Sequence, residues 1–128
     1  MDDFAAFTDG ELGLLHALTR RGVPFMVVGL SAAVLQGANT GTRDIDLWFE
    51  NLTDPRIRDA DRLDIVTHMH GLGRFTEELV NTVEVTVDGV PLRVLKLERI
   101  IASKRATGRP KDLAAIPALE EALIATNA

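Results

Sequence analysis

Two stretches decide how this chain is organised: Val27-Val28-Gly29-Leu30-Ser31-Ala32-Ala33 and Thr42-Arg43-Asp44-Ile45-Asp46-Leu47-Trp48. The first reads as a buried strand, a glycine turn and a short helix of small residues. The second reads, after a loop, as another strand over residues 44–49. Side chains alternate faces along a strand, so Asp44 and Asp46 would share one face, with Cα atoms roughly 6.5–7 Å apart. Ile45 and Leu47 would then face a core. Neighbouring carboxylates repel unless a cation lies between them, and hard oxygen ligands suit Mg²⁺. The plainer alternative is the solvated edge of an amphipathic strand.

Working outward toward the start, Thr8-Asp9-Gly10-Glu11 has the pattern of a capping box. Leu12, Leu15 and Leu18 follow at helical spacing, and Gly22 is a stop signal. Pro24 leads into the apolar run 25–28, a strand expected to be buried on both faces. Residues 31–36 form the expected short helix, closed by Gly37.

Downstream, Asn51-Leu52-Thr53-Asp54-Pro55 is turn chemistry, with Pro55 suited to open a helix reaching about Ala60. Residues 63–67 read as a third strand containing Asp64, and residues 75–81 as a short helix. Asp88-Gly89 between two β-rich runs predicts a hairpin, and Pro91 places its second strand at an edge or a bulge. Residues 97–106 are amphipathic, with Leu97, Ile100 and Ile101 on one face and Arg99 and Ser103 pointing away. Residues 113–124 supply a last helical stretch, interrupted near Pro117. No repeat or linker divides the chain. The expectation is one α+β domain over residues 1–128, a small mixed sheet with helices packed mainly on one face.

Composition limits the partners. With 46% hydrophobic residues the chain can bury one core, and with 5% aromatics that core is aliphatic. There is no cysteine, so neither disulfides nor thiolate metal sites enter, compatible with a reducing cytoplasm. The acidic start lacks the basic segment of a secretory signal, and no apolar run is long enough to cross a membrane. A net charge of −5 disfavours a protein whose task is coating nucleic acid. It leaves small nucleotides open, since Mg²⁺ offsets their charge.

The carboxylates fit phosphoryl or nucleotidyl transfer, in which metal ions bridge phosphate oxygens and offset developing charge. Asp44 and Asp46 would hold metal, and Asp64 would hold metal or act as general base. Gly29 would let backbone approach a phosphate, with Ser31 adding a hydroxyl. Lys104, Arg109 and Lys111 form a local basic cluster that would meet phosphate or a polyanionic acceptor, or else a solvated face. Asp112 would pair with Arg109 or Lys111 and hold the loop. His68 and His70 would share a strand face with Asp64, as a strand end or a second metal or proton-shuttle pair. Trp48 is expected in the core or in a pocket wall.

These residues resemble the minimal nucleotidyltransferases of the DNA polymerase β superfamily, and within it the bacterial group related to AbiEii-type toxins. The likeness rests on Val27-Val28-Gly29, Ala32-Ala33, Gly37, Thr42-Arg43-Asp44-Ile45-Asp46-Leu47, the 97–104 segment and Gly108-Arg109-Pro110-Lys111-Asp112. It covers most of residues 23–119. The chain departs from the pattern in having Leu30 directly after the glycine, with Ser31 one place later. The resemblance implies an Mg²⁺-dependent enzyme that moves a nucleoside monophosphate from an NTP to a hydroxyl of a tRNA, a protein or a small molecule. In the AbiEii-related group it also implies a toxin with a cognate antitoxin. The alternative is a non-catalytic, nucleotide-binding or partner-regulated component of such a pair; a homodimer fits either.

Overall fold

A computed structural model describes residues 8–41, 44–57 and 64–127. Among the described residues, five α-helices and five strands follow in the order α1 (Asp9–Arg20), β1 (Phe25–Val28), α2 (Gly29–Leu35), β2 (Asp46–Phe49), β3 (Asp64–Val66), α3 (Phe75–Glu78), β4 (Thr82–Val87), β5 (Val90–Leu95), α4 (Leu97–Thr107) and α5 (Pro110–Asn127). A 3₁₀ turn, Leu79–Asn81, extends α3. The strands form one mixed sheet in the order β3-β2-β1-β5-β4. Strand β1 runs antiparallel to β2 and parallel to β5, while β2 and β3 are parallel. The fold is α+β. No described helix is long and apolar enough to cross a membrane.

Local chemistry accounts for most of these elements. Thr8 Oγ1 accepts from Glu11 N at 3.1 Å while Glu11 Oε1 accepts from Thr8 N at 2.8 Å, so two otherwise orphaned donors start α1. Leu15 and Leu18 on its inner face are fully buried. All four residues of β1 are buried, as a central strand requires. Asp88 and Gly89 take φ values of 50° and 80°, the two positive angles of a type I′ hairpin turn.

Helix α2 packs on β1, β2, β5 and α4, and α5 packs on α4. Across the β4–β5 hairpin, Leu92 and Val94 are buried and Glu84, Thr86 and Arg93 are exposed, so only one face is covered there. At the other end of the sheet α3 lies over Trp48, whose ring meets Phe75 edge-on at 5.7 Å.

Several expectations need correction. Strand β2 begins at Asp46, because its partner β1 ends at Val28, opposite Asp46, and offers Asp44 no ladder. Asp44 therefore lies in the bend before the strand. Strand β5 is interior rather than at an edge. Pro91 is tolerated because β5 outruns β1, whose register partner on β5 is Val94. Helix α5 is continuous through Pro117, and both Pro117 and Leu113, whose carbonyl loses its helical donor there, are exposed residues. Ser103 is buried, not outward-facing. Residues 55–57 are not helical, and the remainder of the helix expected there, with Leu63, lies outside the described residues.

Candidate functional site

The end of β1 and the start of β2 meet at Gly29, where φ is +64°, a conformation that only glycine adopts without strain. A Cβ on Gly29 would collide with Asp46 Oδ2, and Asp46 Cγ would be only 3.2 Å away. The Asp46 carboxylate is thus packed onto the glycine backbone. Ser31 explains how this start of β2 is fixed. Its fully buried hydroxyl donates to Val28 O at 2.9 Å and accepts from Asp46 N at 3.2 Å. With its one proton committed to a backbone carbonyl, Ser31 is a strut inside the fold. The hydroxyl expected from the sequence to cradle a phosphate thus takes a backbone role.

Asp46 opens into a cleft of about 220 Å³ between the sheet and the α4–α5 junction. Val28, Gly29, Asp46 and Val66 form the sheet side; His68 and His70 come from the loop after β3; Ser103, Lys104, Arg109 and Asp112 form the helical side. Asp64 is the register partner of Asp46 on the neighbouring strand. In a parallel pair that register sets the two Cα atoms about 5 Å apart. Asp44 is exposed and is not among the described residues lining the cleft, nor is the exposed Lys111 in the first turn of α5.

The helical wall is organised by Asp112, 2% exposed. Arg109 Nε donates to its Oδ2 at 2.7 Å, Thr107 Oγ1 lies 2.8 Å from the same oxygen, and Lys104 Nζ reaches Oδ1 at 3.3 Å. Burial alone would raise the Asp112 pKa, but the hydrogen bonds from Arg109, Thr107 and Lys104 outweigh it and hold it near about 2. Gly108, at φ +67°, closes α4 and turns the chain so that Arg109 and Asp112 fold back on Lys104. The structure adds Lys104 and Thr107 to the expected Asp112–Arg109 pairing, and Lys111 takes no part in this cluster.

A second buried carboxylate, Glu78, fixes the loop after β3. It receives Arg99 through Nε at 2.9 Å and a terminal guanidinium nitrogen at 2.7 Å, together with Gly73 N at 2.9 Å and Asn81 Nδ2 at 3.1 Å. The Arg99 bonds hold its pKa to about 2 against burial. Sequence reasoning missed this pair. No local signal set Glu78 apart from Glu77 directly before it.

Strand β3 ends at Val66, so His68 and His70 lie in a loop and not on a strand face with Asp64. Their rings are 5.3 Å apart, edge to face. Among the described residues no three His, Cys, Asp or Glu side chains are grouped so as to hold a metal ion. Comparison with known proteins brings no match among family models, curated proteins or solved structures.

Proposed function

We propose that the chain is an Mg²⁺-dependent nucleotidyltransferase, cytoplasmic and resembling the AbiEii-related group, that passes a nucleoside monophosphate from an NTP to a hydroxyl acceptor. The observation that carries this reading is the Asp46 carboxylate seated on the Gly29 turn, beside Asp64 in register and across a cleft from Lys104 and Arg109. Mg²⁺ is commonly held by one or two carboxylates completed by substrate phosphates. Asp46, with its register partner Asp64, would supply these carboxylates; Asp44, in the bend before β2, would have to turn inward to contribute. A bound Mg²⁺ supplies charge neutralisation to the phosphates.

The chain's own residues do the rest. Gly29, without a side chain, leaves room for the Asp46 carboxylate at the turn, and Lys104 and Arg109 would face the phosphates with positive charge. Asp64, when not needed as a ligand, would accept the acceptor's hydroxyl proton as its oxygen attacks the α-phosphorus. The bond to the bridging oxygen breaks, and pyrophosphate leaves. The acceptor would be a tRNA end, a protein side chain or a small molecule. The test is transfer of label from α-³²P-NTPs to candidate acceptors with Mg²⁺. Labelled product from the wild type and none from Asp46→Asn supports the enzyme; no product across the acceptors with either protein overturns it.

One observation favours a second reading. Asp112 already engages both Lys104 and Arg109, which weakens their pull on a phosphate. A non-catalytic component that binds nucleotide weakly and acts with a cognate antitoxin, or as a homodimer, would tolerate that arrangement. It predicts a stable complex with such a partner and no transfer.

A further inference from the structure

His68 and His70 line the same cleft as Asp46, Lys104 and Arg109, yet the reaction above leaves them unused. We propose that the two imidazoles form a proton-dependent polyphosphate subsite in that wall, a proposal that takes its ligand class from the nucleotide reading of the cleft. The loop carrying them is fastened directly after His70. Gly71, at φ +76°, lies so close to α4 that a Cβ there would be 2.6 Å from the Ala106 Cβ and 3.6 Å from Ala102 O. Gly73 N is held by Glu78, which is itself held by Arg99 of α4. Both histidines are exposed to solvent, so protons and ligands reach them.

Charge then decides what they bind. The described charged groups facing the cleft are Asp46 from β2, Lys104 from α4, and Arg109 and Asp112 at the start of α5. Both cations already contact Asp112, His68 also borders Glu50, Arg74 and Glu77 in the adjoining pocket, and Asp64 as a proposed ligand would add a further carboxylate, so the fixed charges leave no positive surplus. Any surplus positive charge must come from the imidazoles, the side-chain type that changes charge between pH 5 and 8. Neither imidazole forms an ion pair among the described residues. Two protonated rings 5.3 Å apart repel each other unless an anion lies between them. Proton uptake and polyphosphate binding would therefore reinforce each other, and the subsite would take the β- and γ-phosphates or the departing pyrophosphate.

The probe is inorganic tripolyphosphate in Mg²⁺-free buffer, titrated calorimetrically at about pH 6 and about pH 8. The wild type should bind about tenfold more tightly at the lower pH than at the higher, from two partly solvated charges. The double variant His68→Gln, His70→Gln, both at exposed positions, should lose that difference. The ligand's own ionisation is common to both proteins, so the contrast between them reads the imidazoles. An equal pH dependence in the two proteins, or no binding by the wild type at either pH, overturns the proposal. Because neither nucleoside nor Mg²⁺ is present, the result stands apart from the transfer assay. Transfer failing with the contrast intact removes only the enzyme reading; the contrast failing with transfer intact removes only the subsite.

Discussion

Replacing Glu78 with Gln keeps the shape and removes the charge that four donors converge upon. The glutamine amide would present hydrogens to a guanidinium, leaving part of Arg99 without an acceptor in a site where the carboxylate is 4% exposed. The folded-state pKa of Glu78 is depressed from 4.5 to about 2, and such a difference corresponds to about 3 kcal/mol. A depressed pKa contributes stability above the unfolded value, and that contribution is lost as pH falls through the folded one. At pH 7 the variant should therefore be less stable by about 2–3 kcal/mol, or roughly 10 °C in Tm for a domain of this size. The gap between variant and wild type should narrow as pH falls from about 5 toward about 2. Urea or thermal denaturation of both proteins at several pH values measures this. Parallel stability profiles between those limits, or an unchanged Tm at pH 7, would refute the reasoning.

Two further substitutions separate architecture from ligand binding. Gly29→Ala forces a left-handed alanine and drives its Cβ into the Asp46 carboxylate; it should lose about 1–2 kcal/mol in denaturation and weaken Mg²⁺-dependent nucleotide binding. Ser31→Ala removes the acceptor of Asp46 N and the donor to Val28 O, which should cost about 1–3 kcal/mol of stability. If Ser31→Ala instead left stability unchanged and abolished nucleotide affinity, its hydroxyl would belong to the ligand and not to the fold.

The elements that could be read from sequence are those whose signal is local. The Thr8–Glu11 box, the fully apolar run of β1 and the Asp88-Gly89 turn each carry their own explanation within a few residues. The pairing of strands was less legible. Pro91 pointed to an edge, but strand order depends on where β1 ends relative to β5, a contact across the sheet. The carboxylate pattern pointed to Asp46, which lines the cleft, yet it placed Asp44 on a strand that starts two residues later. The backbone role of the Ser31 hydroxyl was not legible because a hydroxyl after a glycine turn serves a phosphate or a backbone carbonyl equally well. Asp112 and Glu78 act through partners 8 and 21 residues away, at Lys104 and Arg99, and sequence spacing alone does not show which cation each will meet.

The Asp46 cleft is proposed to take a nucleotide together with Mg²⁺. Titrating ATP, GTP, CTP and UTP into the wild type and into Asp46→Ala, with and without Mg²⁺, tests this directly. At least one nucleotide should bind the wild type only when Mg²⁺ is present, and the variant should lose that binding. Equal, negligible signals from both proteins, or binding indifferent to Mg²⁺ and to Asp46, would contradict the account.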